Sequence, residues 1–208
     1  MRLEDLRDAC HLLGGLLLDG ANVPMLEEVR SRGEAKRLGG AAHGPLGDRL
    51  EAMHAGLEAD SAAELAAEYT RLFLANGEGG ARSKLPVPPW EDCYVDRGER
   101  SVHGERSLAA FKAYVDAGLG FAGMKGAPSD HIGLELCFVA ALLDEEARGA
   151  RDETARRSFV NGHLGTFAES LAATLVDSAR RPFWSELGKA LSALPRAIQP
   201  AGEQRVGA

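Results

Sequence analysis

The sequence predicts an all-α fold. Its 208 residues include two Ile and four Thr, so β-branched residues, which favour strands, are scarce. Leu, Ala, Glu and Arg, all good helix formers, dominate outside the Gly- and Pro-rich patches. Apolar residues also recur at intervals of three and four, the repeat that places them on one face of a helix.

The elements follow in chain order. Leu3, Leu6, Cys10, Leu13 and Leu17 form one apolar stripe on a first helix that Gly20 can end, and Pro24 suits the first turn of the next. Gly39, Gly40, Gly44 and Pro45 break the chain before Leu46, Leu50, Met53 and Leu57 resume the helical spacing. Ser61 and Glu64 have the S-x-x-E spacing of a capping box, which starts a helix buried through Leu65, Tyr69, Leu72 and Phe73. From Asn76 to about Gly104 no period holds, and long irregular connections tend to be functional or mobile. Leu108, Phe111 and Tyr114 mark another helix, which the glycines from Gly118 to Gly126 stop. Pro128 precedes a strong helix capped by Ser129 or Asp130 and carrying Leu134, Leu136, Val139, Ala140 and Leu143. One further helix spans about Glu153 to Val176, and a last one runs from Pro182 until Pro195 stops it. The expectation is a single domain over residues 1–195, with eight to ten helices in two lobes, a glycine-rich hinge near 118–130, and a flexible tail over 196–208.

Composition narrows the function. With 45% apolar and 26% charged residues the chain should fold on its own core. A net charge of −7 lacks the cationic excess that phosphate backbones require, so a basic partner fits better than a nucleic acid. Three widely spaced cysteines with no C-x-x-C pair indicate a reducing compartment. The apolar run Leu12–Leu18 is too short for a membrane span and lacks the basic flank of a secretory signal.

Gly118–Gly123 spells G-x-G-x-x-G, but it follows a helical segment where a dinucleotide site needs a strand. His131 and Glu135 share a helix face beside Asp130, and three readings are open. One is a metal site, to which His163 would add a ligand in a metal-dependent enzyme. Another makes Asp130 a cap and His131–Glu135 a hydrogen-bonded anchor, and the third is recognition of a ligand. The segment Pro88-Pro89-Trp90-Glu91-Asp92-Cys93-Tyr94 places two large aromatics and two carboxylates outside the periodic helices. It packs its own loop down, forms the rim of a peptide site, or belongs to a structural adaptor surface.

Taken together, Glu68-Tyr69-Thr70-Arg71-Leu72-Phe73, the Pro-Pro-Trp-Glu segment ending at Tyr94, and Pro128-Ser129-Asp130-His131 with Glu135 resemble the paired motifs of the TorD/DmsD/NarJ family of redox-enzyme maturation chaperones, most nearly its TorD/DmsD branch. The resemblance implies a cytoplasmic, non-enzymatic protein with no resident cofactor or metal. It implies binding to the twin-arginine leader or the apo form of a molybdopterin oxidoreductase catalytic subunit, as a monomer or a domain-swapped dimer. By that similarity Tyr69, Phe73, Trp90, Glu91, Tyr94, Asp130 and His131 are the client-binding candidates. Glu68, Leu72, Pro128, Ser129 and Glu135 are structural members of the motifs.

Overall fold

The computed structural model describes residues 1–18, 21–42, 44–74, 85–95, 104–119 and 128–199. Among these are eleven α-helices and no named strand: α1 (Leu3–Leu18), α2 (Val23–Arg32), α3 (Glu34–Ala41), α4 (Pro45–Ala59), α5 (Ala62–Tyr69), α6 (Asp92–Val95), α7 (Glu105–Asp116), α8 (Ile132–Ala147), α9 (Thr154–Gly162), α10 (Leu164–Ser178) and α11 (Pro182–Ile198). A π-helical turn, Thr70–Leu74, continues α5. The all-α expectation holds.

Local signals account for several boundaries. The Asn22 side chain accepts the Met25 N–H at 3.0 Å to start α2, with Pro24 in its first turn. Ser61 and Glu64 form the reciprocal capping box of α5.

Three departures raise the helix count above the expected range. Gly39 and Gly40 do not break the chain; they lie inside α3, because Gly39 and Gly47 let α3 and α4 meet backbone to backbone, and a Cβ on Gly47 would overlap the Ala42 carbonyl. The short helix α6 lies within the stretch read as irregular. The long helix expected from Glu153 to Val176 is two helices, since His163 at φ −132° and ψ −89° leaves helical geometry between α9 and α10.

The C-terminal boundary also moves. Pro195 stands inside α11, near enough to its end that the helix continues to Ile198. Ile198 is buried, and its carbonyl accepts a hydrogen bond from Arg156 at 2.5 Å, so residues 196–198 belong to α11 and not to a tail. The expected hinge lies mostly outside the described residues, as does the tail beyond 199.

Among the described residues nearly all the buried apolar side chains form one contiguous cluster. At its centre is α8, buried on nearly every side, with α1 laid along it and α9 and α10 against it. The other end is built by α11 against α4 and α10, with α3 on the outside of α4. No helix among the described residues is long and apolar enough to cross a membrane.

Candidate functional site

The two motif segments meet as a short stretch of antiparallel backbone. Trp90 and His131 form an isolated β-bridge. The Glu91 N–H donates to the Asp130 carbonyl at 3.0 Å, and the Ile132 N–H donates to the Pro89 carbonyl at 2.8 Å. Proline has no N–H to give but keeps its carbonyl, so Pro89 can serve this bridge only as an acceptor. The Asp130 carboxylate accepts the Asp92 N–H at 3.2 Å, and Asp92 in turn accepts the Gly104 N–H at 3.1 Å.

Asp130 and Ser129 are therefore not the cap of α8. His131 is: its Nδ1 accepts the Gly133 N–H at 3.1 Å while its ring stands edge-on to Trp90, with centroids 6.1 Å apart. Burial pushes the His131 imidazole down to about 4, which keeps it neutral and able to accept that bond. Burial likewise pushes the Asp130 carboxyl up to about 6. The anchor expected between His131 and Glu135 is not made, because the ring nitrogen facing the helix already serves the cap.

Helix α7 closes the other side. The Ser107 hydroxyl accepts the Ser129 N–H at 3.0 Å, and the Tyr114 hydroxyl donates to the Ser129 carbonyl at 2.6 Å. Ser107, Ala110 and Tyr114 are the buried face of α7, which leaves Leu108, Phe111 and Val115 exposed at 70%, 54% and 55%. Leu108 and Phe111, expected from their spacing to share a helix face with Tyr114, are thus on the opposite, exposed face. The signal was the 108–111–115 spacing opposite a face made of Ser107 and Ala110.

Glu91 also belongs to a buried polar group that draws on four parts of the chain: its own segment, α7, α8 and the start of α10. His163 Nδ1 is 2.8 Å from a Glu91 carboxylate oxygen, whose other oxygen accepts from Thr166 at 2.8 Å and faces the Arg106 guanidinium at 3.5 Å. The imidazole of His163 stacks on Phe159, centroids 4.8 Å apart, and Phe159 continues to Phe138 and Tyr114. Glu135 is fully buried beside this group, and neither of its carboxylate oxygens has a hydrogen-bond partner. Burial, with the Glu91 and Asp130 charges adding to it, pushes the Glu135 carboxyl well above the usual range. Of the residues read as metal-ligand candidates, only Glu135 and His163 belong to this group, and Glu91 replaces Asp130 and His131.

The third motif segment lies deeper. Tyr69 and Phe73 are 4% and 3% exposed and pack against each other and Trp184 in tilted and edge-on geometry with centroids 5.0–5.9 Å apart, so they are core and do not wall an open groove. The Tyr69 hydroxyl donates to the Leu17 carbonyl at 3.0 Å. Glu68 accepts two hydrogen bonds from Arg71, at 2.6 and 3.0 Å, and the Arg180 N–H at 2.7 Å. Although burial raises the Glu68 carboxyl, those bonds hold it below the usual range. Leu72 is buried, and its carbonyl accepts the Val87 N–H at 3.1 Å, which ties this segment to the Pro-Pro-Trp-Glu stretch. Trp90 and Tyr94 are half-buried; Tyr94 packs toward Phe167 at 6.1 Å. Pro128 is buried at the entry to the bridge.

The sequence and the fold each match known proteins. The family described as the nitrate reductase delta subunit matches residues 40–173, well over half of the chain. The chain belongs to the nitrate reductase delta subunit family. The delta-subunit match runs from α3 into α10 and so contains all three motif segments and His163. The fold is also that of a crystal structure from Archaeoglobus fulgidus described as a candidate redox enzyme maturation protein. That structure matches with a TM-score of 0.58 and 19% identity over 89% of this chain and 91% of that one. No curated protein matches the chain.

Proposed function

We propose that this delta-subunit family member is a cytoplasmic maturation chaperone, of the TorD/DmsD kind, for a molybdopterin oxidoreductase. It binds the client's twin-arginine leader or apo form before export and catalyses nothing. The observation that carries this reading is the exposed apolar stripe Leu108–Phe111–Val115 on α7, a helix whose opposite face is bonded to the bridged motif segment through Ser107 and Tyr114. Exposed apolar side chains in one row at helical spacing are what an amphipathic helical segment needs as a partner.

A twin-arginine leader joins a cationic end to an apolar, helix-forming run. The run lies along the α7 stripe, and the cationic end meets an acidic protein of net charge −7. Asp130, His131 and Glu91 are buried, so their part is to hold the bridge and α7 in place. Tyr69 and Phe73 support them from the core.

Calorimetry with a synthetic twin-arginine leader tests the reading. A Leu108→Ser/Phe111→Ser double variant, altered only at exposed positions, should keep the wild-type circular dichroism and lose at least about tenfold in affinity, roughly 1.4 kcal/mol. Equal affinity in the folded double variant would remove the surface assignment.

A further inference from the structure

We propose that Glu91, Glu135 and His163 form a binding site for one divalent first-row transition-metal ion. One donor atom from each of the three residues lies within 4.8 Å of those of the others. Donors around a single ion at bonds of about 2.0–2.2 Å are separated by roughly 3–4.4 Å, so sub-ångström side-chain movements bring the three donors onto one ion.

Glu135 is the independent pointer. Its carboxylate is fully buried, aims at Glu91 and His163, and has no hydrogen-bond partner on either oxygen. A buried carboxylate left without a hydrogen bond is costly, and the Arg106 guanidinium, which lies 3.5 Å from Glu91, acts on Glu135 only through its charge and leaves both oxygens without a partner. A divalent ion would compensate Glu91 and Glu135 together.

The remaining features suit an ion as well. Phe159 stacking fixes the imidazole plane, and Nδ1 is the nitrogen turned toward the carboxylates. Ligation requires the tautomer with its proton on Nε2, so the Nδ1–Glu91 hydrogen bond gives way to two bonds to the ion. Thr166 already orients Glu91 through its other oxygen. His163 is 12% exposed on its side chain and Thr166 is at the surface, which opens a path from solvent at the start of α10. Two carboxylates and one imidazole are borderline-hard donors, a set that suits zinc, iron or manganese better than copper(I), with water completing the shell.

The test is calorimetric titration of the full chain, stripped with EDTA and dialysed, with zinc chloride alone. One zinc per chain is expected, with at least a hundredfold loss of affinity in Glu135→Gln and in His163→Ala. Without metal, Glu135→Gln should unfold at a temperature equal to or above that of the wild type, which shows that lost binding is not lost folding. Zinc should raise the wild-type midpoint and leave that of Glu135→Gln unchanged. Absence of saturable binding near one equivalent, or equal binding by both variants through other histidines, overturns the site.

Discussion

His131 does two jobs that constrain each other. It accepts the first free amide of α8 through Nδ1, and it does so buried, so protonation would remove the acceptor and place a charge out of water. Its folded value of about 4 lies below the ordinary 6.5, so between those values the unfolded chain binds the extra proton. The stability His131 contributes is therefore present above about pH 6.5 and falls as pH drops toward 4, by up to about 3 kcal/mol. Asp130, pushed up to about 6, acts in the opposite sense over the same window. The variant His131→Asn keeps a side-chain cap acceptor without a titrating group. Urea unfolding from pH 7 to pH 4 should show wild type losing up to about 3 kcal/mol relative to this variant, and parallel curves would contradict the assignment. The site's members were legible as motifs, because Pro, Trp, Asp and His in those orders are unusual. Their roles were not: which His131 nitrogen caps the helix, and that Glu91 reaches residue 163, depend on a bridge that joins residues 41 positions apart.

At the scale of elements, the contact of α1 with α8 is set by glycine. A Cβ at Gly133 would lie 2.8 Å from the Leu18 Cβ and 2.9 Å from the Gly14 carbonyl oxygen, and one at Gly14 would meet the Gly133 carbonyl and Leu136 at 3.1 Å. Two helices can approach this closely only where one presents no side chain. Gly133→Ala should destabilise the protein by about 1–3 kcal/mol through overpacking of backbone that cannot yield, measured as a lower denaturation midpoint. No change in midpoint would mean that the helices separate at little cost. Helix existence was legible from periodicity, and so was the capping box at Ser61. The errors share one cause, tertiary contact overriding local propensity. Gly39 breaks a lone helix but permits α3 against α4; Pro195 ends a lone helix, yet Arg156 and a buried Ile198 hold the final turn of α11. On α7 the face was mistaken because burial follows Tyr114 hydroxyl bonding and not hydrophobicity.

For the whole molecule, charge and shape act together. An acidic chain that presents an apolar stripe should bind a cationic amphipathic peptide with an electrostatic share that salt removes and an apolar share that it does not. Raising sodium chloride from about 50 to 500 mM should weaken leader binding without abolishing it, with a Debye length falling from roughly 14 to 4 Å. Affinity independent of salt would show that the acidic surface plays no part. The pairing of α1 with α8 also sets a timetable. The two helices begin at Leu3 and Ile132, so α1 leaves the ribosome far ahead of the helix that covers its leucines. At about 5–20 residues per second it waits on the order of ten seconds. A protein proposed to shield an exposed apolar segment of another chain thus begins life with such a segment of its own.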